Sequence, residues 1–215
     1  MRLYHRMEVD LAPDLPDRAP IMALTSHFSI LDTIALYVVD PYSPDTTTVV
    51  KDSLMKIPII SGIVRARGLV PVSRDGRDIG PLRNLLRVMK SGRGICLAAE
   101  GQRSRTGRLG SLNRVVVRLA LRAARDGIPI LPVAEIGTYE ALPVGAVFPR
   151  PVKVRVVIGS PIDVEEWADG VSNDETLEAL ARHIQGSIAG LLPPERRPEE
   201  RTPAIAAVRS DDRAN

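Results

Sequence analysis

Short continuous apolar runs alternate along the chain with longer stretches in which apolar residues recur every three or four positions. That is the pattern of strands followed by helices. The run APIMALTS reads as a buried strand; from Ser29 onward Ile30, Ile34 and Val38 recur at helical spacing, with Ser29 placed to cap the helix and Asp32 in its first turn. TTTVVKDSL predicts a second strand feeding a short amphipathic stretch, and GLVPVSRDG a third that ends in a turn carrying Arg74. Pro81 opens a helix striped by Leu82, Leu85, Leu86 and Met89, ended near Gly92. GICLAAEGQRSRTGRLG runs from a buried strand into a polar, glycine-containing loop with Glu100 at its mouth. In the next helix Val115, Leu119 and Ala123 face one way, and Arg114, Arg118, Arg122 and Arg125 line another side as a solvated face. IPILPVAEIG is again a continuous apolar strand, and VKVRVVIG alternates as a half-exposed edge strand does. Ser172 and Glu175 have capping-box spacing ahead of Leu177, Leu180, Ile184 and Ile188. Beyond Pro193, prolines and charges replace periodic apolar residues, so the pattern predicts one domain over 1–192 and a disordered C-terminal tail over 193–215.

The alternation predicts an α/β fold, a mostly parallel sheet covered by helices on both faces, with ligands gathered where strands end. His27, Arg74 and Glu100 all fall at predicted strand exits. With aromatics at only 3%, the core must be aliphatic. The net charge of +3 permits anionic partners without choosing among them. Basic residues are not interleaved with aromatics, so nucleic acid is not expected as a partner. The lone Cys96 excludes an internal disulfide framework, and with three histidines it leaves too few soft ligands for a structural zinc site. The opening MRLYHRMEVD lacks the apolar core of a signal peptide, and no apolar run is long enough to span a bilayer. A cytoplasmic location with peripheral membrane contact is the expectation.

Two stretches carry candidate chemistry. In SHFSILD, a neutral His27 can take a proton from an alcohol while the Asp32 carboxylate fixes its tautomer; the competing reading is a polar strand end followed by an acidic helix N-terminus. In EGQRSRTG, glycines allow close backbone approach, and Arg103 and Arg105 offer donors to an anion; the alternative is a solvated basic loop. Neither a P-loop nor a Gly-x-Ser-x-Gly nucleophile elbow is present.

SHFSILD, GLVPVSR, AAEGQRSR and ILPVAEIGTYEAL, in that order over about residues 20–145, resemble the four blocks of the glycerolipid acyltransferase family typified by 1-acylglycerol-3-phosphate O-acyltransferase. Ser26 stands where the family usually has asparagine, Ala98 and Ala99 replace Phe-Pro, and Gln102 replaces threonine. The resemblance implies transfer of a fatty acyl group from acyl-CoA or acyl-carrier protein to a hydroxyl of lysophosphatidic acid, in phospholipid biosynthesis. It implies no bound cofactor and no metal. His27 would be the general base and Asp32 its orienting partner. Arg74 and Arg103, with Lys51, would bind the phosphate, and Glu100 and Gly101 would shape the pocket. Acylation of glycerol 3-phosphate or another lysophospholipid, and a non-catalytic phospholipid-binding role, are the alternatives. The product is a lipid, and VVKDSLMKIPIISGIVRARG offers apolar residues beside Lys51, Lys56, Arg65 and Arg67, so the expected partner surface is an anionic membrane, at its inner face.

Overall fold

The computed structural model describes residues 5–39, 41–42, 45–56, 61–62, 64–65, 68–72, 80–169 and 173–206. Strands β1 (Glu8–Leu11), β2 (Met22–Thr25), β3 (Thr46–Lys51), β4 (Val70–Val72), β5 (Gly94–Ala98), β6 (Ile130–Ile136) and β7 (Arg155–Ile158) form a seven-stranded sheet in the order β1-β7-β6-β2-β5-β3-β4. The five strands from β6 to β4 run parallel, while β7 is antiparallel to β6 and parallel to β1. Strand β2 lies at the centre, paired on both sides in register (Met22 with Ile95 and with Ile130), and all four of its residues are buried. This is why its sequence is continuously apolar rather than alternating.

The helices are α1 (Ile30–Val39), α2 (Gly80–Lys90), α3 (Arg114–Arg125), α4 (Thr138–Ala141), α5 (Glu165–Ala168) and α6 (Asp174–Leu191). On one face of the sheet, Leu24 and Ile95 pack with Leu85 and Met89 of α2, Leu119 and Ala120 of α3, and Leu177, Leu180 and Ile184 of α6. Each fully buried leucine or isoleucine contributes roughly 1.5–3 kcal/mol relative to an exposed one. On the other face, Ala35 of α1 packs with Ile21, Ala23, Leu131 and Val133. The mostly parallel, doubly covered α/β sheet expected from the sequence is what the chain forms.

Five local expectations need correction. The strand within VKVRVVIG is not an edge: β1 covers it, and the charges that made it look exposed pair with β1, Lys153 with Glu8 at 2.7 Å and Arg155 with Asp10. The apolar stripe of α1 does not face the core, since Ile30, Ile34 and Val38 are all exposed while Leu31, Asp32 and Ala35 are buried. Helix α6 is capped by Asn173, whose side chain accepts from the Thr176 N–H at 2.7 Å. Ser172 lies outside the described residues. On α3 the cap is Asn113, and Val115 is exposed beside it.

The fifth correction concerns residues 193–206, expected to be part of a disordered tail. They fold back over the body. Ala204 and Ile205 are buried in the larger core, the Leu112 N–H donates to the Ala204 carbonyl at 2.7 Å, and the Leu109 N–H donates to the Arg196 carbonyl at 2.8 Å. Two apolar residues among many polar ones give no periodic signal, yet backbone hydrogen bonds and one buried isoleucine suffice to dock the segment. Residues 207–215 lie outside the described residues. Truncating Ile205 to alanine removes buried methylenes and should cost about 2–4 kcal/mol in urea unfolding, whereas a disordered tail would give no change.

Candidate active site

The site begins where β2 hands over to α1. Ser29 is the N-cap of α1: its hydroxyl accepts from the Leu31 N–H at 3.2 Å and donates to the Leu142 carbonyl at 2.6 Å. Three residues on, at the position from which a side chain can reach back, Asp32 accepts the N–H groups of Phe28 (2.7 Å) and Ser29 (2.8 Å) through Oδ2. The same oxygen lies 3.0 Å from His27 Nδ1. One carboxylate oxygen thus both caps the helix and holds the imidazole. Asp32 is only 1% exposed, and a buried carboxylate needs such donors. His27 keeps an 18% exposed side chain, open to a reactant.

With Nδ1 as the donor to Asp32, Nε2 is left unprotonated, the tautomer a general base requires. The backbone of the same residue anchors the second part of the site: the Ser104 N–H donates to the His27 carbonyl at 2.7 Å. Ser104 is buried in the loop after β5 and donates through its hydroxyl to the Arg108 carbonyl at 2.7 Å. The loop starts at Gly101, with φ +71°, where a Cβ would approach Asn113 Nδ2 to 2.9 Å, so the turn requires glycine. It is braced from outside by Gln185 of α6, donating to the Gly110 carbonyl at 2.9 Å, and by Arg196, donating to the Gly107 carbonyl at 3.0 Å.

Along this loop runs a cleft of about 530 Å³ lined by Glu100, Arg103, Arg105 and Arg108, with Glu199 and Thr202 from the returning tail. Arg103 and Arg105 are exposed and have no carboxylate partner among the described residues, as expected of donors held for an incoming anion. At the inner end, Glu100 is enclosed, and a Cβ on Gly110 would approach its Oε2 to 2.8 Å. Burial first, and the negative Asp32 next to it, push the Glu100 carboxyl up to about 8, against a lowering hydrogen bond from Gly110.

The structure thus brings His27, Asp32, Glu100, Gly101 and Arg103 to one edge of the sheet. Lys51 ends β3 at that same edge, and the orientation of its side chain is outside the described residues. Arg74 lies outside the described residues altogether, as does part of the basic, apolar stretch after β3. One acidic residue was overlooked. Glu135, fully buried at the end of β6, accepts from the Ser26 hydroxyl at 2.8 Å. Its signal was present: a carboxylate inside the otherwise apolar ILPVAEIG must be explained by its surroundings.

A family model described as Acyltransferase matches residues 6–135. The chain is 28% identical over 163 residues to a chloroplastic 1-acyl-sn-glycerol-3-phosphate acyltransferase of Arabidopsis thaliana, covering 74% of this chain and 44% of that protein. It is 23% identical over 153 residues to a 1-acyl-sn-glycerol-3-phosphate acyltransferase of Borreliella burgdorferi, covering 70% of this chain and 59% of the relative. The chain spans about half the length of the curated relatives it matches. Its fold is similar to the crystal structure of the 1-acyl-sn-glycerophosphate acyltransferase PlsC of Thermotoga maritima, with a TM-score of 0.67, 23% identity, and coverage of 88% of this chain and 75% of that one.

The enclosed Glu100 makes stability pH-dependent. Its folded value of about 8 lies above its ordinary 4.5, so the folded chain retains a proton that the unfolded chain releases. The stability associated with the neutral carboxyl is complete below about pH 4.5 and is lost as pH rises to about 8. Glu100→Gln should therefore match the wild type in melting temperature near pH 4.5 and exceed it increasingly towards pH 8. A constant difference between the two across that range would show that Glu100 is ionised in the folded chain.

Proposed function

Because the chain belongs to the acyltransferase family, we propose that it transfers a fatty acyl group from a thioester to the free hydroxyl of lysophosphatidic acid. The observation that carries this is the joint placement of the His27–Asp32 pair and the arginine loop, tied at one residue: the imidazole takes Asp32 through Nδ1, and the His27 carbonyl takes the loop through the Ser104 N–H. A proton-accepting imidazole and a cationic cleft are what a phosphorylated alcohol needs on its two ends.

In this reading His27 Nε2 accepts the proton of the acceptor hydroxyl as its oxygen attacks the thioester carbonyl. Asp32 stabilises the imidazolium formed. The tetrahedral intermediate collapses, the C–S bond breaks, and the departing thiolate takes the proton back from His27. The products are one ester and one free thiol, with no covalent acyl-enzyme. Arg103, with Arg74 and Lys51 by resemblance, binds the phosphate, while Glu100 and Gly101 shape the inner end of the cleft. Acyl-CoA or acyl-carrier protein is the donor. Mass spectrometry of products after incubation with each donor and with lysophosphatidic acid, other lysophospholipids and glycerol 3-phosphate tests the proposal, and activity on glycerol 3-phosphate alone would replace the acceptor. Inactivity with every pair would favour a lipid-binding role.

Removing the base should separate from removing the anchor. His27→Ala should lower kcat by about 10²- to 10⁴-fold, and Asp32→Asn should act in the same direction, because an amide cannot stabilise the imidazolium. Arg103→Ala should chiefly raise the KM of the acceptor, since it touches a group remote from the reacting hydroxyl. Steady-state kinetics with the acceptor varied distinguishes the two classes.

A lipid acceptor also suggests a membrane partner. Among the described residues no helix is long and apolar enough to cross a membrane. Ile30 and Ile34 nevertheless expose nearly half their surface, 47% and 46%, on the helix that begins three residues after His27, and Val147 and Phe148 are exposed in the loop that follows Leu142, the residue bonded to Ser29. We assign this face to peripheral contact with an anionic, inner-leaflet surface in the cytoplasm. In flotation with vesicles containing anionic lipid, Ile34→Ser combined with Phe148→Ser should reduce binding, and salt should weaken what remains. Unchanged flotation of the double variant would place the contact elsewhere.

A further inference from the structure

The proposed reaction uses His27, Asp32 and the arginine loop, and leaves unexplained the most completely buried acid among the described residues. Glu135 is 0% exposed near the C-terminal end of β6, yet no cation among the described residues pairs with it. Its contacts run to the strand that carries the base. The Ser26 hydroxyl donates to Glu135 Oε2 at 2.8 Å and accepts the Glu135 N–H at 3.2 Å, while the Ser26 N–H donates to the Val133 carbonyl at 3.0 Å. These bonds extend the β2–β6 pairing one residue beyond its last register pair, Thr25 with Val133, and stop at the residue before His27.

We propose that Glu135 is a positioning residue for the His27–Asp32 pair, acting through Ser26 as a neutral carboxyl that fixes where the chain leaves β2. The proposal rests on the acyl-transfer reading of the site. Geometry supplies its first support: Ser26 is fully buried, and its hydroxyl has the Glu135 carboxyl as acceptor, so loss of that acceptor frees the backbone immediately before the base. Charge supplies the second. Facing Glu135 are Asp32 from α1 and, around Asp32, His27 from the β2–α1 turn and Glu100 from the β5 exit; on β7 its register partner is Val156, and the neighbouring Arg155 is engaged by Asp10. Burial, and then the negative Asp32, hold the Glu135 carboxyl well above the ordinary carboxylate range, against lowering hydrogen bonds from Ser26 and its own backbone. Asp32 Oδ1 and Glu135 Oε1 are also both buried without a protein partner, which disfavours two adjacent anions. A second anion there would stabilise the imidazolium before any hydroxyl arrived and remove the free base. A neutral acid holds Ser26 without that effect.

The test compares Glu135→Gln, Glu135→Ala and Ser26→Ala. An amide keeps an acceptor for the Ser26 hydroxyl and carries no charge, so Glu135→Gln should retain most of the wild-type kcat and the same acid limb of the pH profile. Glu135→Ala and Ser26→Ala should each lose kcat by about 10- to 100-fold, the scale of a misplaced catalytic group, with little change in acceptor KM. Two readouts do not require activity, so an inactive wild type would sink the acyl-transfer reading while leaving this inference testable. The His27 Nδ1 proton resonance should persist in Glu135→Gln and broaden in the two alanine variants, and the imidazole titration of Glu135→Gln should superimpose on that of the wild type. A His27 titration moved to lower pH in Glu135→Gln would mean that Glu135 is an anion and overturn the proposal. So would an alanine variant that is folded, with wild-type kcat and an unchanged resonance.

Discussion

One oxygen atom organises this molecule's working end. Asp32 Oδ2 accepts from two backbone N–H groups and from an imidazole, all within 3.0 Å, in a place where water does not reach. Burying a carboxylate without donors costs several kcal/mol, and here the N-terminus of α1 supplies them together with the favourable end of its dipole. The same bonds that let the charge exist also fix it, so His27 meets an acceptor that is already oriented. Preorganisation of the base is thus a consequence of helix capping. The spacing of His27 and Asp32 follows from it too, because only the third residue after the cap can reach back to the cap's N–H and still lie beneath the preceding strand exit.

Around that oxygen, charges are sorted by depth. Asp32 is the interior carboxyl with three donors, while burial and the neighbouring Asp32 raise Glu100 to about 8 and Glu135 well above the ordinary carboxylate range. Positive charge lies outside, on Arg103, Arg105 and Arg108 along the cleft. The cationic side chains thus lie at the rim, and the carboxylate that the imidazole meets directly is Asp32. Had all three acids been ionised, their repulsion in the interior would oppose the fold.

The sheet and the position of the site were legible because both rest on repeating signals. Apolar runs ending in polar residues mark parallel strands, and polar residues at successive strand ends must meet at one edge. What was not legible depends on partners distant in sequence. Periodicity predicted α1 but not which stripe of it is buried: Ile30, Ile34 and Val38 repeat as well as a core stripe does, yet the sheet meets Leu31 and Ala35. EVDL near the start is a strand through backbone pairing with β7, together with the Glu8 N–H donating to the Val154 carbonyl at 2.9 Å, and Lys153 and Arg155 face its acids. Glu135 could be read as anomalous in an apolar strand, but nothing in its neighbourhood along the chain announces Ser26, 109 residues away.

The returning segment after α6 shows why the arginine loop can keep its shape. A loop with cations held apart from carboxylates gains little from its own sequence, since no apolar period packs it and its charged side chains repel. Stability must come from elsewhere: Leu109 inserted in the core at 1% exposure, the Ser104 bond to the His27 carbonyl, the Gln185 bond to Gly110, and the Arg196 side chain donating to Gly107. Arg196 also lies over the Tyr139 ring at 4.8 Å and pairs with Glu140, so the brace is itself anchored to α4. Of the cations along the cleft, Arg103 and Arg105 have no carboxylate partner among the described residues and Arg108 lies 3.9 Å from Glu199, while Arg196 behind the loop pairs with Glu140. That division of labour lets a polar, glycine-containing segment hold its backbone through bonds made from behind it.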